Sequence, residues 1–234
     1  MPFIEEFIHY HAGVNRFTGV LVRHSDTTPR PGILLAPNMM GIAASSIEHA
    51  CTIARKGYVV LVADMYSCLP GSAEDAAERM NTLKDTPAER QILNAALTRL
   101  AELQYVNEGK LAAVGFCYGG HCVLELARSG APLAVTVCFH GTLNTRLPAE
   151  KGVIRGKVVV LNGADDPFVT ADQIKDFTGE MALCRCDFQL TNYAGAVHSF
   201  TYPKADVPGK TQYNEAVSMH AFGVLFTQLA EALG

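Results

Sequence analysis

One cysteine lies in a sequence context that could make it a nucleophile. The segment Gly115-Phe-Cys-Tyr-Gly119 follows a short apolar run and precedes a stretch of helical periodicity, residues 121–128. A nucleophile at such a strand–turn–helix junction sits on a tight turn, where larger residues at the two glycine positions would clash with strand and helix. Free backbone N–H groups at the start of the helix favour a thiolate. This pattern predicts a reactive Cys117, whereas the alternative is a buried cysteine packed between glycines.

An aspartate and a histidine follow this cysteine in the order that a hydrolytic triad needs. Asp166 and His198 lie in the segments 163–167 and 193–200, each of which comes directly after a short apolar run with the composition of a strand. In such a triad a thiolate attacks an acyl carbon, an imidazole transfers protons and a carboxylate fixes the imidazole tautomer. We therefore expect Cys117, His198 and Asp166 to act together, and we expect the neighbouring Asp165 to be a solvated loop residue.

Two backbone N–H groups are candidates for stabilising an oxyanion. The first belongs to Tyr118, which directly follows the candidate nucleophile, and the second to Met39, in a loop after an early strand. Asn38 and Met40 flank Met39 and are expected to line the substrate pocket. A plain strand-to-helix loop would contain the same residue types, so only the pairing with Cys117 favours the oxyanion interpretation.

The remaining histidines divide into one pocket candidate and several structural residues. His140 lies at the predicted carboxyl end of a strand, and such ends face the crevice of an open α/β sheet. We expect it to be a pocket residue, with the role of catalytic base as the alternative. His121 falls on the helix behind Cys117 and is expected to pack there. A solvated or structural role is expected for His9, His11, His24 and His220.

The elements that must position these residues alternate between β-branched runs and helical periodicity. This rhythm predicts an α/β fold, with a mostly parallel twisted sheet and helices on both faces. Strands are predicted at Gly32–Ala36, Tyr58–Ala63, Leu111–Gly115, Leu133–Phe139, Lys157–Gly163 and Cys186–Thr191, with an antiparallel edge formed by Thr18–Arg23 and residues 3–10. Helices are predicted at Ser45–Lys56, Ala88–Leu103 and Gln212–Leu233. Two polar excursions, Tyr66–Thr86 and Phe200–Lys210, are predicted as loops that line a site.

Composition excludes several classes of protein. The chain has 234 residues, 49% of them hydrophobic, and a net charge of −4, so it can bury a core and offers no basic field for nucleic acid. We expect one domain over residues 1–234. The seven cysteines have neither a disulfide framework nor zinc-ligand spacing, and no metal or other cofactor is expected. An acidic N-terminus and the lack of an apolar run of ~20 residues predict a cytoplasmic protein without a membrane partner.

The motifs together resemble those of the dienelactone hydrolase family of α/β-hydrolases. The resemblance rests on the cysteine turn, Asp166-Pro, His198-Ser-Phe and the early Pro-Asn-Met-Met-Gly loop, and it covers residues 15–233. It implies a compact α/β-hydrolase fold without a separate cap domain. It also implies a Cys-His-Asp triad that hydrolyses a small-molecule ester or lactone through a thioester.

Two positions differ from what the resemblance implies. Asn38 stands where dienelactone hydrolases place a glutamate beside the resting cysteine, and an amide cannot accept the thiol proton. Tyr202 stands where they present an arginine that holds the substrate carboxylate, and Arg79 is the candidate for a replacement charge. We therefore expect neutral, activated esters or lactones as substrates, and activated phosphotriesters as a promiscuous class.

Other functions remain open on the sequence. A glutamine-amidotransferase-type amidase also uses such a cysteine turn, but its base is usually followed two residues later by glutamate, where this chain has Phe200. A non-catalytic ligand-binding protein could share the fold, although retention of all three triad residues favours an enzyme. Thiol redox chemistry is disfavoured because Cys122 lies five residues beyond Cys117 instead of in a C-x-x-C turn. The oligomeric state is left open.

Overall fold

A computed structural model describes residues 3–234. Its strands are β1 (Phe3–Ala12), β2 (Asn15–His24), β3 (Arg30–Ala36), β4 (Val59–Val62), β5 (Val106–Phe116), β6 (Val135–Phe139), β7 (Lys157–Gly163), β8 (Phe188–Tyr193), β9 (Asp206–Val207) and β10 (Thr211–Gln212). Its helices are α1 (Ala44–Ala54), α2 (Ala73–Leu83), α3 (Pro87–Ala101), α4 (Tyr118–Arg128), α5 (Ala171–Cys184) and α6 (Glu215–Leu233). The strands predicted from the sequence are all present within a few residues.

The main sheet has eight strands in the order β1-β2-β4-β3-β5-β6-β7-β8. Strand β2 pairs antiparallel with both β1 and β4, and all later pairings are parallel. This arrangement confirms the mostly parallel α/β fold and its antiparallel edge. Because parallel strands end at the same side of a sheet, the loops after β3, β5, β6 and β7 come close together there.

Helices cover both faces of the sheet, as its strand sequences require. Along β4, Val60 packs into one hydrophobic cluster and Leu61 into the other, following the two-residue period of a strand. One cluster includes side chains from α3, α4 and α5, and the other includes side chains from α1 and α6. Burial of each large aliphatic side chain stabilises the fold by roughly 1.5–3 kcal/mol.

The excursion predicted as a loop at Tyr66–Thr86 contains a helix, which corrects that prediction. Helix α2 begins after Ser72, whose side chain accepts a hydrogen bond from the Asp75 N–H, and two acidic residues occupy its first turn. Ala76 is the one fully buried residue of this helix, and Met80 and Leu83 pack partly against the core, so its apolar stripe is short and surrounded by polar residues. The other excursion remains irregular, apart from the short β9 strand.

Helix α6 has the length and composition of a membrane span, with a mean hydropathy of 1.2 over 18 residues. One face of it packs against the sheet through Ala221, Leu225 and Leu229, all fully buried. About 33% of the apolar window is buried, so α6 covers the sheet with one face and leaves much of its surface outside the core.

Candidate active site

Cys117 occupies a strained turn between β5 and α4. Its backbone has φ 57° and ψ −120°, a conformation that costs about 1–3 kcal/mol for a residue with a side chain. The two flanking glycines are required by close contacts: a Cβ on Gly115 would lie 1.9 Å from the Gly119 carbonyl oxygen. A Cβ on Gly119 would lie 2.0 Å from the Ala36 carbonyl oxygen. The turn has the geometry that the sequence predicts, and Cys117 is half-buried at its tip.

His198 and Asp166 form a buried pair at the carboxyl ends of β7 and β8. The His198 Nδ1 and the Asp166 Oδ2 are 2.8 Å apart. The other carboxylate oxygen accepts a hydrogen bond from the Phe168 N–H at 2.8 Å, so the aspartate cannot rotate freely. Of the adjacent aspartates, Asp166 is the one that pairs with His198, and Asp165 is exposed.

The environment of His198 favours its protonated form. Burial alone would lower the pKa, but hydrogen bonds to Asp166 and Cys117, together with electrostatic interactions with the same two groups, outweigh burial and raise the pKa to about 10. The structure thus brings the three residues of the predicted triad together, with the imidazole between thiol and carboxylate.

Cys117 and His198 open into a cavity of about 520 Å³. Its surface is mostly apolar, which suits a neutral organic ligand. The loops after β3, β5, β6 and β7 and the predicted loop 200–210 all contribute to its wall. The residues that line it are Asn38, Met39, Met40, Ser45, His49, Met80, Lys84, Phe116, Cys117, Tyr118, His140, Thr142, Phe168, His198, Ser199, Thr201, Tyr202, Val207, Lys210 and Thr211.

The two candidate oxyanion donors lie in this wall. Met39 and Tyr118 both line the cavity, and within residues 3–234 the backbone N–H of neither one donates to another protein group. Asn38 shapes the loop that carries Met39: its Oδ1 accepts the Met40 N–H at 2.9 Å, and its Nδ2 donates to Ser45 Oγ at 3.2 Å. Both polar atoms of Asn38 are therefore engaged within the loop.

His140, Met40 and Tyr202 line the cavity, as expected for pocket residues. Arg79 does not, and its predicted place in the pocket is corrected here. It lies on α2, where its guanidinium contacts Asp75 Oδ1 at 2.7 Å and Cys68 Sγ at 2.9 Å. An arginine four residues after an aspartate on a helix meets that aspartate first.

Two lysines that the sequence did not single out reach the cavity wall. The Lys84 Nζ lies 3.1 Å from Asp85 Oδ2, so its charge is balanced. The Lys210 Nζ lies 5.9 Å from the centre of the Phe168 ring. The cavity wall thus includes two lysines. Neither can bind a substrate carboxylate through two parallel hydrogen bonds as an arginine would.

His49 is a cavity residue that sequence reasoning missed. Its ring stacks on Phe116 with centroids 3.8 Å apart, and burial lowers its pKa to about 4, so it is neutral. Its position on α1 could have indicated this role. His49 lies four residues after Ser45, so the two side chains share one face of the helix that follows the Met39 loop.

A buried ionic network lies behind α4. In the described part of the chain, Asp85, His121 and Glu125 form one group of potential metal ligands. Arg90 and Arg128 both pair with Glu125, at 2.7 and 2.9 Å, and Lys84 pairs with Asp85. Protein cations therefore balance the charges of Asp85 and Glu125. His121 is fully buried on α4, in agreement with its predicted packing role.

Comparison with known proteins identifies the family. Residues 17–233 match the model of the dienelactone hydrolase family. The solved structure of m3DLH is 35% identical and superposes with a TM-score of 0.93, with 99% of each chain covered. The structure of P91, a dienelactone hydrolase-like promiscuous phosphotriesterase from metagenomic libraries, is 32% identical, with a TM-score of 0.91 and full coverage of both chains.

A curated relative agrees with these matches. The carboxymethylenebutenolidase of Pseudomonas putida is 31% identical over 121 residues, which are 48% of this chain and 51% of that protein. The family model spans nearly the whole chain, and the two structures share its fold from end to end. The chain belongs to the dienelactone hydrolase family.

Proposed function

We propose that this protein is a carboxylic ester hydrolase that cleaves esters or lactones through a covalent thioester on Cys117. The observation that carries the proposal is the arrangement of a half-buried thiol on a strained turn beside an imidazole paired with a buried carboxylate. The relatives support the reaction class, because carboxymethylenebutenolidase is named for a lactone substrate.

The reaction follows from the positions of these groups. The Cys117 thiolate attacks the carbonyl carbon, and the negative charge that develops on the carbonyl oxygen is stabilised by the N–H groups of Tyr118 and Met39. The carbon–oxygen bond to the leaving group then breaks, and the leaving oxygen takes a proton from His198. Water attacks the thioester, gives its proton to His198, and releases the acid and the thiolate. Asp166 holds the imidazole in the required tautomer throughout.

The cavity favours neutral and activated substrates. Its wall is mostly apolar, Tyr202 stands where the family resemblance implies an arginine, and Lys84 is already paired with Asp85. A carboxylate would lose its hydration there without gaining a bidentate partner. Broad specificity for neutral esters is therefore proposed, with substrate choice set by pocket shape.

Activated phosphotriesters are a second class of candidate substrate. The relevant observation is the similarity to P91, which is described as a promiscuous phosphotriesterase. The same two N–H donors could stabilise the charge on a phosphoryl oxygen, and turnover then requires water to release the phosphorylated sulfur. These steps use only groups of the chain itself.

A single domain over residues 1–234 and a cytoplasmic location stay predictions.

The test combines alkylation with turnover of a p-nitrophenyl ester. We expect iodoacetamide to modify Cys117 stoichiometrically and to abolish turnover, and we expect His198→Ala to be inactive. Cys68→Ser is the matched control, because Cys68 is an exposed thiol outside the cavity, and it should keep full turnover. An active Cys117→Ala variant would overturn the proposal. Glutamine hydrolysis without esterase activity would identify an amidase, and ligand binding without turnover a binding protein.

A further inference from the structure

We propose that His140 is a positioning residue that ties the nucleophile turn to the loop of the catalytic histidine. The inference rests on the proposed roles of Cys117 and His198. The Cys117 backbone N–H is shared between two acceptors: it donates to the Phe139 carbonyl oxygen at 3.0 Å and to His140 Nδ1 at 3.2 Å. On the other side of the ring, His140 Nε2 lies 2.8 Å from Thr201 Oγ1. One imidazole therefore joins the backbone of the nucleophile to the loop that carries His198.

The segments that His140 joins are each held in unfavourable backbone conformations. Cys117 has φ 57°, His140 itself has φ 38° and Ser199, next to His198, has φ 60°. Residues other than glycine adopt such angles only where the surroundings enforce them. The His140 N–H is anchored to the Leu161 carbonyl oxygen of β7 at 2.9 Å, so the ring is held by the sheet and can in turn hold the two loops.

The hydrogen bonds also fix the protonation of this histidine. Nδ1 can accept the Cys117 N–H only when it carries no proton, so Nε2 carries the proton and donates it to Thr201 Oγ1. Burial lowers the pKa of His140 well below its usual value, and the positive charge of the nearby His198 lowers it further. A neutral ring with one fixed tautomer is suited to a structural link, and it leaves the base role to His198.

The link determines how the thiol and the base are placed relative to each other. The His140 and His198 rings are 5.0 Å apart and meet edge to face, so a shift of one loop changes the approach of the other. Without the link, Cys117 and His198 would depend on separate loops whose strained turns could relax independently. Misplacement of reacting groups by about 1 Å can lower a rate by about 100-fold.

Four variants test the link. His140→Asn keeps an acceptor near the Cys117 N–H and tolerates positive φ, but it is too short to reach Thr201. His140→Phe removes both hydrogen bonds, and Thr201→Val removes only the hydroxyl, which Thr201→Ser restores. Thr136→Val is the matched control, because Thr136 is as buried as Thr201, lies on β6, the strand just before His140, and is outside the cavity.

We expect His140→Phe and Thr201→Val to lower kcat for a p-nitrophenyl ester by roughly 10- to 100-fold with little change in KM. The pH profile of Cys117 alkylation by iodoacetamide should shift in both variants, while Thr201→Ser and Thr136→Val keep the wild-type profile. In the His140→Phe background, Thr201→Val should have no further effect on kcat, because the link is already broken.

The proposal is overturned if folded His140→Phe and Thr201→Val proteins keep the wild-type kcat and alkylation profile and lose only thermal stability. Should His140→Phe fail to fold, Thr201→Val decides alone, since it preserves the shape of the side chain. Failure of the proposed esterase function would show separately, as turnover that survives Cys117→Ala. The alkylation profile would still report whether His140 controls the environment of the thiol.

Discussion

Adding one methyl group at Gly119 should separate the two oxyanion donors. An ideal Cβ there would lie 2.0 Å from the Ala36 carbonyl oxygen and 2.6 Å from the Pro37 carbonyl oxygen, and real Cβ contacts are essentially never under 3.0 Å. Helix α4 must therefore move from the end of β3 by about 1 Å, because both obstacles are backbone atoms and the interior is close-packed. That movement pulls Tyr118 away from Met39. We expect Gly119→Ala to lower kcat by about 100-fold and stability by at least about 1–3 kcal/mol.

The matched control for this substitution is Gly223→Ala. Gly223 lies within α6, where an added Cβ would meet nothing within 4 Å. This variant should gain about 0.5–1 kcal/mol, because alanine favours helices over glycine. Urea unfolding gives the stability of both variants, and p-nitrophenyl ester turnover per folded molecule gives kcat. The reasoning is refuted if Gly119→Ala matches Gly223→Ala in both measurements.

Three further predictions concern ionisable groups. Asp166→Asn should fold but lose about 10⁴-fold in kcat for a p-nitrophenyl ester, because the imidazole takes the wrong tautomer; a loss under tenfold would contradict this role. Because hydrogen bonds to Asp166 and Cys117 raise the pKa of His198 from 6.5 to about 10, the stability gained from its protonation is complete below pH 6.5 and is lost as pH rises to about 10. Urea unfolding of wild type and His198→Gln across this range should give different slopes, and parallel curves would disprove the linkage. Arg79→Ala should leave kcat and KM unchanged in steady-state assays, since the side chain lies outside the cavity and pairs with Asp75; a large rise in KM would mean that it reaches the substrate.

The candidate site residues whose positions could be predicted from the sequence are those whose spacing follows from backbone geometry. Cys117 was identifiable because its turn needs glycine on both sides, and Asp166 and His198 because each follows a strand of a parallel sheet. The parallel strands themselves were evident from continuous β-branched runs, because they are buried on both faces.

The features that sequence reasoning missed depend on contacts between distant segments. Helix α2 has only a short apolar stripe among polar residues, so its periodicity was overlooked. Its Arg79 pairs with Asp75 on the same helix and does not reach the pocket. His49 enters the site only because α1 packs over Phe116, and His140 meets Thr201 across 61 residues of chain. Neither contact can be predicted from the periodicity of the local sequence.

The most direct test of the central claim is to trap the acyl intermediate. Wild-type protein mixed with a p-nitrophenyl ester is quenched with acid in the burst phase, digested and examined by mass spectrometry. The account predicts the acyl mass on the peptide that contains Cys117, and its absence in Cys117→Ala. An acyl group on any other residue, or full turnover with no acyl group on Cys117, would contradict it.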